Sequence, residues 1–220
     1  MLHGERWVYP LGLIDPPVDV QQPHSPLRLY EKGVWDPAEQ YWGEPDDTVE
    51  MCLVEVIAAG PRMQYEFEQL LPGGEDPDAS DPILDAIELR DRGYPERAQA
   101  LLEGLVEWDA RCIDAHAHLG GLAFDQDDPE EAQAHYATGV RIAESSLPAG
   151  FGGVLGWGRI DNRPFLRCLH GLTISTWRLE QHEEAQELCR ALLWLNPGDN
   201  QGARELLPEI TAGAPWPAHR

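Results

Sequence analysis

The chain has 220 residues, of which 42% are apolar and eight are tryptophan, enough to bury a sizeable core and to exclude global disorder. Sixteen basic against 39 acidic side chains leave a formal net charge of −23, which disfavours nucleic acid and anionic membranes as partners. The sequence shows neither a signal-peptide pattern nor a run of about 18 apolar residues, so we expect a cytoplasmic protein.

Residues 1–79 are rich in proline and aromatic residues. Because proline lacks a backbone N–H and fixes φ, long helices are disfavoured there, and we expect an irregular segment with one or two helices. The first is predicted over 49–59, capped by Asp47 or Thr48, and the second over 62–71. Proline, glycine and acidic residues at 71–80 then predict a linker.

From residue 80 onward the apolar pattern is that of paired helices, which predicts a second domain over 80–220. Prolines that can open helices, glycines that can close them and acidic caps mark the boundaries. The predicted pairs cover 80–109, 110–146 and 164–197, with a capping helix at 199–211 and an inserted glycine-rich loop at 147–163.

Three similar stretches recur along this region: Ala98-x-x-x-Leu102, Ala132-x-x-x-Tyr136 and Ala185-x-x-x-Cys189. The first step is 34 residues and the second is 53, which is 34 plus a 19-residue insertion. Together with Leu119-Gly120 in the second pair, and Leu172 and Pro197 in the third, these stretches resemble the tetratricopeptide repeat. Residues 163–172 and 195–202 are also similar to uncharacterised bacterial proteins of this class.

The resemblance implies an all-α fold, a short right-handed α-solenoid of about three helical hairpins plus the capping helix. It also implies a non-catalytic scaffold whose concave groove, lined by the first helix of each pair, binds a protein or peptide. By helical spacing the groove candidates are Arg90, Asp114, His118, Asp125, Arg167, His170, Ile174, Trp177 and Arg178. Cations are few in this chain, and Arg167 with Arg178 could hold a partner carboxylate; alternatively, each pairs with an acidic neighbour.

The glycine-rich loop carries two aromatic residues, Phe151 and Trp157. Its glycines do not have the G-x-G-x-x-G spacing of a phosphate-binding loop. The loop is therefore interpreted either as a lid whose aromatic rings contact a partner or as a spacer whose rings pack against the hairpins.

No catalytic, metal or cofactor site is predicted. The four cysteines form no C-x-x-C pair, and His116 and His118 point about 200° apart on a helix. The Asp125-x-Asp127-Asp128 run precedes Pro129, which indicates a helix cap rather than a calcium loop. Two alternatives to the scaffold stay open: an acidic decoy that neutralises a basic protein, and an enzyme with a site in residues 1–79 or the glycine-rich loop. The expected partner is a protein or peptide that is basic or carries a free carboxylate.

Overall fold

The computed structural model describes residues 26–40, 42, 50–72 and 80–217. The predictions for residues 1–25, for the caps at Asp47 and Thr48 and for linker residues 73–79 lie outside these ranges. The described residues are mostly helical and form eight α-helices and one two-stranded sheet. In chain order the elements are β1 (Leu29–Trp35), α1 (Glu50–Ala58), β2 (Arg62–Phe67), α2 (Pro82–Asp91), α3 (Pro95–Trp108), α4 (Ile113–Asp125), α5 (Pro129–Glu144), α6 (Arg163–Arg178), α7 (His182–Leu195) and α8 (Ala203–Thr211).

The helices α2 to α7 begin close to where the sequence predicts them, whereas the capping helix α8 begins at Ala203 instead of residue 199. The Asp81 carboxylate accepts a hydrogen bond from the backbone N–H of Ile83 at 2.9 Å, and the Asp128 carboxylate does the same for Glu131 at 2.9 Å. Each cap is followed by a proline at the first helical position, where its missing N–H costs nothing. The helical class of this region is therefore confirmed, whereas its finer arrangement as a repeat solenoid stays a prediction.

Small residues allow neighbouring helices to pack closely. Ala98, Ala132 and Ala185, which define the repeat step, are each almost completely buried. A Cβ atom added at Gly120 of α4 would lie 2.7 Å from the ring of Tyr136 on α5, closer than any real contact. The α2–α3 pair has a small core of its own, which α4 shares, while a larger core joins α4 through α8. The repeated small positions therefore determine how the helices approach one another.

The predicted helix over 62–71 is wrong. Residues 62–67 form strand β2, which pairs antiparallel with β1 so that Leu29 faces Phe67. The sequence contains the reason, because Met63, Tyr65 and Phe67 alternate with polar residues at the two-residue period of a strand. The partner strand lies about thirty residues earlier in the chain, so no local pattern reveals the pairing. In the described part of residues 1–79, α1 is the only α-helix.

The sheet is docked on the helices through the buried side chain of Asn162. Its amide group donates to the carbonyl oxygen of Tyr65 at 2.8 Å, and its Oδ1 atom accepts from the backbone N–H of Phe67 at 3.0 Å. The rings of Phe67 and Phe165 meet edge to face, 5.6 Å apart. The described part of the first 79 residues is thus packed against α6, while a domain boundary near residue 79 stays a prediction.

The glycine-rich segment is held by backbone hydrogen bonds. Val154 exchanges bonds with β2, its N–H donating to Met63 at 2.9 Å and its oxygen accepting from Tyr65 at 2.8 Å. The N–H of Leu155 donates to the carbonyl of Leu195 at 2.8 Å. Phe151 is only 3% exposed and packs against the Tyr65 ring. The predicted role of Phe151 as an exposed loop contact is therefore wrong, since its ring is buried, while the interpretation of the loop as a lid or a spacer stays a prediction.

Candidate functional site

Helix α6 is buried on every side except one. Eleven of its sixteen residues are buried. The five that keep solvent exposure are spaced four, three, four and four residues apart, which places them on a single face of the helix. They are Arg163, Arg167, His170, Ile174 and Arg178.

Helix α4 shows the same exposure pattern, with His118, Gly121, Phe124 and Asp125 left accessible. The exposed faces of the two helices lie side by side. Asp114 near the start of α4 is ion-paired with Arg167 near the start of α6, and Arg178 at the end of α6 stacks on Phe124 at the end of α4. We call these accessible residues of the two helices the α4–α6 stripe. It contains most of the side chains that helical spacing assigns to a groove.

At one end of the stripe, here called the polar end, a buried carboxylate holds an accessible guanidinium. Asp114 is 6% exposed and accepts a 2.8 Å hydrogen bond from Nη1 of Arg167. The Arg167 side chain is 38% exposed, so part of its guanidinium group also faces solvent. Nε2 of His118 lies 3.6 Å from the same Asp114 oxygen, too far for a hydrogen bond. Burial lowers the pKa of His118 even though Asp114 opposes the shift, so Arg167 is the main cation that faces Asp114.

Arg90 on α2 approaches the polar end from the other side. It lines a shallow, open depression together with His118 and apolar side chains of α2, α3 and α4. Its guanidinium donates to the neighbouring Asp91 at 2.8 Å. The predicted contact residues Arg90, Asp114, His118 and Arg167 are therefore brought to one place, although they span 77 positions of the sequence.

Trp157 covers the remaining side of the polar end. Its backbone N–H donates to the Asn196 side chain at 3.0 Å, and its carbonyl accepts from Arg163 at 3.1 Å. The guanidinium groups of Arg163 and Arg167 lie 5.3 and 5.9 Å from its ring centre, within cation–π range. Because the partly exposed Trp157 ring is fixed beside two arginines, it offers a flat apolar surface next to positive charge.

The other end of the stripe, here called the aromatic end, is closed by the chain itself. Trp177 is fully buried, and its indole N–H donates to the carbonyl of Ala214 at 2.7 Å. Trp216 meets the rings of Phe124 and Trp177 edge to face, at 5.7 and 5.1 Å. The prediction that Trp177 is an accessible groove contact is therefore wrong for this conformation, because the segment after α8 covers it.

Sequence reasoning missed the contribution of this last segment. Its one local signal is Pro215-Trp216-Pro217, a tryptophan between two residues that cannot continue a helix. The remaining predicted contacts lie on the stripe: Asp125 is exposed, His170 is partly exposed, and Arg178 is ion-paired with Asp127. Desolvation lowers the pKa of His170 to about 4, so this side chain is neutral at physiological pH.

Outside the stripe, the reactive side chains are mostly buried. Burial raises the pKa of the Cys112 thiol to about 11 and also raises that of Cys168, which keeps both thiols protonated. His116 is buried with its ring 6.0 Å from that of His135. Among the residues that the structure describes, no three His, Cys, Asp or Glu side chains are placed to share a metal ion. No helix within the same residues has both the length and the apolarity to cross a membrane.

The chain matches no family model, no curated protein and no solved structure.

Proposed function

We propose that the chain is a non-catalytic scaffold of the tetratricopeptide class, and that its α4–α6 stripe binds an extended protein segment. Three features support this class: the recurring helix pairs, the buried alanines at each repeat step, and the contacts of α4 with both α5 and α6. In such an arrangement the first helices of successive pairs lie side by side, and their shared face is long enough for a peptide.

The observation that carries the proposal is the ion pair of Arg167 with Asp114. One N–H of Arg167 is given to a buried carboxylate, which fixes the orientation of the guanidinium. Arginine has five N–H donors in a planar fork, so the exposed part of Arg167 can still hold a ligand carboxylate. Trp157 alongside can pack against an apolar side chain of the same ligand. We infer a partner segment that carries a carboxylate next to an apolar residue.

A paired substitution tests this assignment. Arg167→Gln removes the cation, whereas Asp114→Asn keeps the shape of the side chain and frees the guanidinium from its internal carboxylate. The probe is a peptide with a free C-terminal carboxylate, selected on the wild-type chain from a random library, together with its C-terminal amide. We expect Arg167→Gln to weaken binding of the acid about tenfold to a hundredfold, as for a charge-assisted hydrogen bond, and Asp114→Asn to strengthen it.

Arg97→Gln is the matched control, because this exposed arginine on α3 lies outside the stripe and its loss changes the net charge equally. Affinities are measured by fluorescence anisotropy. Equal binding of acid and amide, or equal losses with the Arg97 and Arg167 variants, would contradict the proposal.

The net charge supports a second candidate function, an acidic decoy for a basic protein. A chain of charge −23 attracts a basic partner through its whole field and repels an acidic peptide. Raising the salt from about 50 to 300 mM should therefore weaken decoy binding steeply, while binding of an acidic segment at Arg167 should stay level or improve. Steep salt weakening that is insensitive to Arg167→Gln favours the decoy.

A further inference from the structure

The chain reverses direction directly after α8. The N–H of Gly213 donates to the carbonyl of Ile210, and the N–H of Ala214 donates to that of Glu209, both at 3.0 Å. With Gly213 in the left-handed region at φ +67°, this is the Schellman motif that commonly ends helices. The turn sends residues 214–217, here called the tail, back over the ends of α4 and α6.

The tail is held at two points. The carbonyl of Ala214 accepts from the Trp177 indole and also lies 3.0 Å from Nε2 of His182. Two residues further on, the ring of Trp216 contacts both Phe124 and Trp177. The site thus recognises a backbone carbonyl followed, two positions later, by an indole ring.

The prolines on either side of Trp216 suit it to this role. Proline restricts the backbone before and after the indole, which reduces the entropy lost when the segment docks. Proline also has no N–H, so neither flanking residue brings an unpaired donor to the aromatic surface. The same properties make short proline-flanked segments common ligands of aromatic grooves. The tail therefore has the chemistry of a bound peptide.

The tail also has features of an exchangeable segment. Ala212 and Gly213 at its base and Pro215 within it are exposed, while Trp216 is only partly buried. Segments with few buried contacts open at low free-energy cost, whereas Trp177 beneath is fully buried and needs some cover. A different segment that supplies the same carbonyl and indole could provide that cover.

We propose that the aromatic end of the stripe is a docking site for an extended partner segment with a proline-flanked tryptophan, and that the tail is its tethered competitor. The partner's indole replaces Trp216 between Phe124 and Trp177, and a partner carbonyl replaces that of Ala214. The tail thereby lowers the affinity for weak partners. This inference extends the proposed peptide-binding role along the same stripe but uses no residue of the polar end, so each can fail without the other.

The test measures binding of a fluorescent peptide of sequence Thr-Ala-Gly-Ala-Pro-Trp-Pro, which copies residues 211–217. Three proteins are compared: the full chain, the chain ending at Gly213, and the full chain with Trp216→Ala. A tethered segment competes with an effective concentration of about 1 mM, so a peptide of about 100 µM affinity should bind the two variants about tenfold more tightly than the full chain. The same peptide with alanine for tryptophan should bind none of them.

Controls separate the alternatives. Trp108→Ala removes a half-exposed tryptophan of α3 away from this site and should leave binding as in the unaltered chain. Arg167→Gln should also have no effect here, whatever it does to the carboxylate peptide. Equal affinity for all three proteins would overturn the proposal. So would loss of cooperative unfolding in both tail variants, because the tail would then be a fixed part of the core. A tail-exchanged dimer of the full chain, seen by sedimentation, would make a second copy the occupant instead of a partner.

Discussion

The two ends of the α4–α6 stripe are built from the same pair of helices but differ in their exposure to solvent. At the polar end, a buried carboxylate orients an arginine that stays accessible. At the aromatic end, Trp177 is buried, and the segment after α8 covers it. The difference teaches that one continuous face can combine a site that is open to a charged ligand with a site that is already filled. Most of the stability should come from the filled end and most of the charge recognition from the open one.

The largest expected effect comes from removing the indole of Trp177 at the aromatic end. Trp177→Ala deletes a fully buried ring and leaves a cavity under Trp216, so we expect a loss of about 3–5 kcal/mol in the free energy of unfolding. Trp108→Ala is the control, since that ring is 52% exposed, and its cost should stay below about 1 kcal/mol. Denaturant titration measures both. Similar costs for the two variants would show that the aromatic end is not a stability element.

Acid should act on the core behind the stripe rather than on its polar end. His116 is buried, and desolvation lowers its pKa to about 4, below the value of about 6.5 in an unfolded chain. The folded state therefore disfavours protonation. The contribution of neutral His116 to the free energy of unfolding is fully present above pH 6.5. It falls by roughly 3 kcal/mol as the pH drops towards 4.

Denaturant midpoints measured between pH 7 and 4 test this pH dependence. His116→Leu should remove about half of the slope, because burial also lowers the pKa of His170 to about 4 and this side chain keeps a similar contribution. His118→Gln at the polar end should leave most of it, because the Asp114 carboxylate partly offsets the effect of burial on the pKa of His118. A slope that disappears with His118→Gln instead would place the acid-sensitive group at the polar end.

Two adjacent glycines between the ends of the stripe give a matched pair of variants. A Cβ at Gly120 would lie 2.7 Å from a ring carbon of Tyr136, so Gly120→Ala should cost about 1–3 kcal/mol through overpacking. A Cβ at Gly121 meets only the Tyr136 hydroxyl at 3.8 Å, an ordinary contact, and alanine there should stabilise α4 by up to about 1 kcal/mol. Thermal unfolding compares them, and effects of the same sign would refute the close approach of α5 to α4.

The smallest expected effect is at the ion pair of Arg178 with Asp127. The Asp127 side chain is 83% exposed, and exposed pairs contribute between zero and about 1 kcal/mol. Arg178→Ala should therefore change stability by less than about 1 kcal/mol, with part of the loss coming from the contact with Phe124. A larger cost in denaturant titration would mean that Arg178 helps to hold the aromatic end closed.

Local patterns predicted the helices from residue 80 onward well, whereas the role of the polar end as a contact site stays a prediction. Caps and helix-opening prolines lie next to the elements they define, so the starts of α2, α3 and α5 follow from a few neighbouring residues. The ion pairs of Arg167 with Asp114 and of Arg178 with Asp127 match the alternative in which each of these arginines pairs with an acidic neighbour. The repeat solenoid itself and the binding role stay predictions.

The failures have a common physical cause, which is contact over long sequence distances. Strand β2 depends on β1 and on Asn162, neither of which is near it in the sequence. Trp177 is covered in part by Trp216, which lies 39 residues later and contacts its ring. Helical spacing tells which way a side chain points, but it does not tell what other segment arrives to cover it.

The docking of the sheet on Asn162 has a consequence for the order in which the protein can be built. During synthesis, β1 and β2 leave the ribosome about a hundred residues before Asn162, Phe165 and Trp194, which they contact. An isolated two-stranded sheet is only marginally stable in water. We therefore expect the two strands to become stably ordered only after the later residues that they contact have been synthesised. A shortened protein that begins at residue 80 would lack both strands. The Phe165 ring and the Asn162 amide would then lose these contacts, and we expect the shortened protein to aggregate.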